Sequence, residues 1–254
     1  MNASPAYGTA GTTPFGTAGE LDDFAEIIRI LNENGAPSTD LHMVLNNAAA
    51  ANLRGKQSVL FKVNEAGSSD MLRNGSLGVV QGLMLHESNQ ISTHTKGTAT
   101  GFDAAGGEPA GETTIAVDGS NSGTILAGDV VTWAGDSNKY IVNSATASGA
   151  ASGNIIINEP GLKIALADTV EGTIGASYTP SLAFSRSAVG LVTRAPALPG
   201  GGDMADDRQV IVDPVSGLAF DVAVYRQYRQ VSYEVAIAWG VKAIKPAHIA
   251  TLLG

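Results

Sequence analysis

Apolar positions first recur at helical spacing in Leu21, Phe24, Ile28 and Leu31, with Ala25 and Ile27 beside them. This predicts an amphipathic helix over 20–34. Thr17-Ala18-Gly19-Glu20 fits a capping box, Asp22 and Asp23 suit the positive end of the helix dipole, and Gly35 and Pro37 end the element. Leu41–Leu45 is a short buried strand, Asn46 or Asn47 can cap a brief helix to Leu53, and Leu77–Leu85 and Ile91–Thr95 read as further strands. Short β-type runs follow at Thr113–Val117, Val130–Trp133, Tyr140–Val142, Asn154–Ile157 and Thr169–Ile174, divided by turn signals such as Asp118-Gly119 and Gly128-Asp129. Thr179-Pro180 then opens a predicted helix whose face is Phe184, Ala188, Leu191 and Val192 and which Pro196 ends. Period-2 alternation marks Leu218 to Val224 and Val231 to Val241 as two half-buried strands of a hairpin, joined by Arg226-Gln227-Tyr228-Arg229-Gln230. A short final helix is expected after Pro246.

The pattern divides the chain. Residues 1–19 are rich in Gly, Ala, Thr, Ser and Pro and read as a flexible arm or linker. Segments 20–95 and 179–254 carry mixed helix and strand, while 96–178 is β-rich and read as an inserted barrel or sandwich. The insert is acidic: beyond Lys96, only Lys139 and Lys163 oppose a series of carboxylates from Asp103 to Glu171.

Composition narrows the function. Only 15% of the 254 residues are charged, which suits a surface covered by neighbours. The formal net charge is −9 and Lys and Arg form no stripe, so sequence-specific nucleic-acid binding is not expected. The absence of cysteine excludes disulfides and thiolate metal sites. Met1–Pro5 has no basic or apolar signal-peptide region, and no apolar run approaches the ~18 residues of a membrane helix, so no membrane partner is expected and the chain should be soluble until it assembles.

Candidate chemistry is thin. His42, His86, His94 and His248 show no helical zinc-site spacing, and His42 reads as a core histidine. Around Arg54-Gly55-Lys56-Gln57 a phosphate loop fails: Ala50 replaces its first glycine and Gln57 its Ser or Thr. There is no nucleophile elbow. Asp118, Ser120, Ser122 and Asp129 partly fit a calcium loop, but serines replace two carboxylates and no helices flank it, so a plain Asp-Gly turn is the reading. No catalytic, cofactor or metal residues are assigned, and no enzyme activity is expected.

Several segments resemble, in order, the coat proteins of short-tailed (podovirus-type) bacteriophages. They include Thr13-Pro14-Phe15-Gly16-Thr17 with the helix after it, Asn34-Gly35-Ala36-Pro37, and Gly75-Ser76-Leu77-Gly78-Val79-Val80-Gln81-Gly82-Leu83. Glu87–Ile91, His94–Thr98, Thr113–Gly119, Ala127–Gly135, Leu182–Ala188 and Ser216–Val241 complete the series. The resemblance implies an α+β, Hong Kong 97-like capsid fold with an inserted all-β barrel-like domain. It implies a structural virion subunit that assembles with itself, with scaffolding and portal proteins as partners. Such coats carry an N-terminal arm, an extended loop and a spine helix before this region, and residues 1–19 are too short to supply them. The alternative class is a β-rich binding module, such as a decoration or adhesin protein. Arg226, Tyr228 and Arg229, basic and aromatic on an acidic chain, are the candidate subunit-interface residues.

Overall fold

A computed structural model describes residues 5–57, 60, 73–119, 123–146 and 152–254. The chain begins β1 (Pro5–Tyr7), α1 (Asp22–Glu33), β2 (Leu41–Leu45), α2 (Asn47–Lys56), β3 (Val79–Val80) and β4 (Leu83–Glu87). Next come β5 (Phe102–Ala104), β6 (Thr114–Gly119), β7 (Val130–Trp133), β8 (Lys139–Ala145), β9 (Ser152–Ile157) and β10 (Glu171–Ile174). The last part holds β11 (Ser181–Ser185), β12 (Val189–Arg194), β13 (Asp207–Val212), β14 (Ala219–Gln227), β15 (Gln230–Ala236), β16 (Ala238–Ala243) and β17 (Ile249–Leu252). Two compact units result: Met1–Ala188 with Lys245–Gly254, and Val189–Ile244. This division differs from the one expected, which kept the whole of 179–254 in the central domain.

In the larger unit a mixed sheet runs β3-β4-β2-β11-β17-β1. The β2–β4 and β1–β17 pairs are parallel and the other neighbours antiparallel. Phe24, Ile27, Ile30 and Leu31 of α1 enter its core with Met43, Leu45, Leu53, Leu83 and Leu252. The helix forms as its apolar spacing predicts, but the capping box does not. Leu21 holds the cap position without a side-chain bond, and the Thr17 carbonyl accepts from Gln57 Nε2 at 2.7 Å. Asn46 does cap α2, its Oδ1 accepting Ala49 N–H at 2.8 Å.

Three expectations are corrected here. Within the described part of 1–19, the chain is built into the core: β1 pairs with β17 and β8, and Phe15 is buried and stacked on Phe24 at 4.5 Å. The helix expected from Thr179 to Pro196 is instead strand β11, a short 3₁₀ turn at Arg186–Ala188 and strand β12. The final helix reduces to a 3₁₀ turn at Pro246–His248, followed by β17, whose four residues are all buried. Ser181, Ala183 and Ser185 explain the second miss. They form the buried face of β11 and are small and partly polar, so alternation of hydrophobicity is lost while accidental helical spacing survives.

The β-rich segment closes on itself. Pairings β8–β7, β7–β10, β10–β5, β5–β6, β6–β9 and β9–β8 complete a six-stranded antiparallel barrel. Phe102, Ile115, Val117, Trp133, Tyr140, Val142, Ile155 and Ile157 fill it. Gly172 is needed because a Cβ there would collide with the Phe102 ring. The fold is therefore mostly β with a closed barrel, and holds two α helices among the described residues.

In the smaller unit β13, β14 and β15 form an antiparallel sheet and β12 pairs with β16 in a two-stranded ribbon. The expected long strand from Val231 to Val241 breaks at Ile237, its halves joining different sheets.

Candidate assembly surface

A sheet face is set by register, because residues directly opposite one another point the same way. In the smaller unit Ile211 faces Phe220, Val222 faces Val235, Val224 faces Tyr233, and Arg226 faces Val231. Seven apolar side chains thus share one face. Tyr233 is 71% exposed and Val235 65%, with Ile211 and Val231 also exposed; Phe220, Val222 and Val224 are half-buried. The other face carries the polar partners. Arg208 Nη2 lies 2.8 Å from Asp203 Oδ2 and its Nε 3.2 Å from the buried Asp221. Tyr225 donates to Asp203 Oδ2 at 2.7 Å, a bond to a carboxylate that pushes its phenol up to about 12.

The ribbon repeats the pattern. Leu191 faces Val241 and Thr193 faces Trp239, with Trp239 69% exposed. Within Val189–Ile244 only Asp221 and Ala223 are buried. Two- and three-stranded sheets need an apolar layer against them to be stable in water, and these strands lack one within the unit.

Arg226, Tyr228 and Arg229 lie together at the tip of the β14–β15 hairpin. The expected five-residue connection is a two-residue turn, since Arg226 pairs with Val231 and Gln227 with Gln230. Arg229 takes a left-handed conformation (φ 58°) and its guanidinium stacks on Tyr228, 5.3 Å from the ring centre. Tyr228 is 86% exposed. The Arg226 amide donates to Asp206 Oδ2 at 2.7 Å, and its exposed guanidinium makes a long ion pair with the same oxygen, Nε at 3.9 Å.

The remaining candidates carry structure. His42 and His86, far apart in sequence, meet on parallel neighbours β2 and β4 with Nδ1 and Nε2 3.1 Å apart; no spacing rule could have signalled this. Asp40, 3.0 Å from His42 Nε2, accepts from that nitrogen, and in the neutral tautomer this fixes, Nδ1 is the acceptor facing His86. Asp129 is fully buried and satisfied by His94 Nε2 (2.8 Å), Gly97 N–H (2.9 Å) and Leu126 N–H (2.7 Å). It is therefore occupied in the fold and not presented as a calcium ligand. Ser120, Asn121 and Ser122 of that loop lie outside the described residues. Asp118 sits opposite Asp103, and lost solvation followed by the Asp103 and Asp168 carboxylates raises its carboxyl above the usual value. Among the described residues no group of three or more His, Asp or Glu side chains gathers to hold a metal ion, and no helix is long and apolar enough to cross a membrane.

No protein-family model and no curated protein matches the sequence. Among solved structures, a chain of Mycobacterium phage Che8 is similar with a TM-score of 0.43 and 14% identity, over 99% of this chain and 53% of that one. The chain thus spans about half the length of this phage neighbour.

Proposed function

We propose that the chain is a structural subunit of the icosahedral capsid shell of a tailed bacteriophage, working by self-association and not as an enzyme. The observation that carries this reading is the smaller unit, whose strands leave their apolar faces open and bury almost nothing of their own. Exposed apolar area on this scale marks an interaction surface, and a shell is built from repeated contacts between copies of one chain. The low charge content and the ordered resemblance to short-tailed phage coats support the same reading. On that resemblance the fold is a Hong Kong 97-like one, the chain resides in the virion, and scaffolding and portal proteins are further partners. Arg226, Tyr228 and Arg229 contact acidic groups of a neighbouring subunit, since a basic tip on a chain of net charge −9 favours charge complementarity.

Light scattering and negative-stain microscopy of the purified chain test the proposal. Rings, sheets or closed particles are expected. Reversing Arg226 and Arg229 to Glu should reduce oligomer size; unchanged size would remove these residues from the contact.

One feature favours a second reading, a virion decoration or adhesin module: the barrel is closed, with its own packed interior. Saturable glycan or cell binding by a stable monomer would select it.

A further inference from the structure

Resting on the shell reading, we infer that the apolar face of the β13–β14–β15 sheet is covered by the same face of a second copy, across a two-fold axis, with the strands of the two sheets running in opposite directions. Three observations lead there.

The first is area. Ile211, Phe220, Val222, Val224, Val231, Tyr233 and Val235 are contiguous by register, and together they present on the order of 500 Å², near the upper end of what a monomer leaves bare. Two such faces bring about 1,000 Å² together, the threshold for a specific interface. A flat sheet face suits another sheet, packed about 10 Å away with interdigitating side chains.

The second is self-complementarity, which a two-fold contact requires of a single patch. The apolar residues of this face lie on β14 and β15 with Ile211 of β13, while Asp207 and Gln209, opposite Val224 and Val222, line its β13 edge. Arg226 lies on it at the hairpin tip, opposite Val231. At the other end the ladder continues beyond Val212–Ala219, with Asp213 N–H donating to the Leu218 carbonyl at 3.0 Å. That places Asp213 in step with Ile211 at this end of the face, its carboxylate held by the Val215 and Ser216 N–H groups and the Ser216 hydroxyl while keeping its negative charge.

The third is orientation. Parallel stacking would set Arg226 and Arg229 of one copy against the same residues of its partner, and like charges across an interface are costly. Antiparallel stacking separates the two tips. It brings each Arg226 to the Asp213 end of the other copy and puts Val222 and Val235 of both copies at the centre, near the axis.

The chain has no cysteine, so single cysteines report cleanly. In the full-length chain treated with a short bismaleimide, whose reach of about 8–10 Å matches the spacing of stacked sheets where a direct disulfide would not, Val222→Cys should form a covalent dimer in high yield and Tyr228→Cys at the tip essentially none. Tyr233→Glu should lower association at least tenfold with unchanged far-ultraviolet circular dichroism. Arg226→Glu should weaken it, and more than Arg226→Gln does, with the difference shrinking at high salt. Cross-linking through Tyr228→Cys but not Val222→Cys overturns the antiparallel arrangement. Tyr233→Glu that still assembles like the wild type overturns the face while leaving the shell reading standing. Dimers that Tyr233→Glu abolishes, without any larger particle, uphold the face and count against the shell. A wild type that stays monomeric at every concentration defeats both and leaves the face to a different partner.

Discussion

Asp129 offers the sharpest test of how the barrel is attached to the chain that enters it. Its carboxylate is fully buried and accepts from His94 Nε2, Gly97 N–H and Leu126 N–H, tying the segment before the barrel to the turn before β7. Asp129→Ala removes every acceptor at once. A buried donor left without a partner costs about 1–3 kcal/mol, and three donors lose theirs here. Partial relaxation and water entry keep these from adding fully, so the expected loss is about 4 kcal/mol. Asp129→Asn keeps one oxygen for Gly97 and His94 but points an amide donor at Leu126 N–H, and should lose about 2 kcal/mol. Urea unfolding followed by fluorescence measures both. In a Trp239→Phe background the signal comes from Trp133 alone, inside the barrel. With a urea slope of ~2 kcal/mol per molar, Asp129→Ala should move the midpoint down by about 2 M. A midpoint within ~0.5 M of the parent would show that the three donors find other partners, and the reasoning would fail.

Further outcomes follow from single contacts. Gly172→Ala drives a methyl group into the Phe102 ring and should destabilise the barrel by about 1–3 kcal/mol in the same assay. Asn46→Ala removes the cap of α2 and the bond from Asn46 Nδ2 to the Thr179 carbonyl at 2.9 Å, with an expected loss of about 1–2 kcal/mol by thermal unfolding. Tyr225 should titrate near 12 when followed by its phenolate absorbance. Because its folded value lies above its unfolded value of 10.0, its contribution to stability is complete below pH 10 and is lost as pH rises toward 12. Titration of Tyr225 at its unperturbed value would mean that the Asp203 bond is absent in solution.

Much of the fold was legible where burial follows a regular period. Helix α1 declares itself through Phe24, Ile27 and Leu31, and the barrel strands through Ile115, Val131, Trp133 and Ile155, each set between Gly-containing turns. It was not legible where burial uses small or isolated residues. Strand β11 hides its inward face behind Ser181, Ala183 and Ser185, and β1 consists of three residues whose place depends on partners more than a hundred positions away. Strand β5, also three residues long, gave no run to detect. The candidate surface was legible in one respect and hidden in another. The basic tip is visible as Arg226, Tyr228 and Arg229, but alternation in β14 and β15 predicts a half-buried face. The structure leaves that apolar face largely exposed, because a sequence pattern reports which side chains share a face and not whether anything covers it.

The central claim is that this chain works by association with copies of itself. The most direct measurement is the mass of the purified full-length chain across a concentration series, with negative-stain images of the same samples. The account predicts mass rising with concentration to rings, sheets or closed particles, and a Tyr233→Glu variant that does not follow. A single monomeric mass throughout, with the smaller unit folded by circular dichroism and hydrogen exchange, would contradict it.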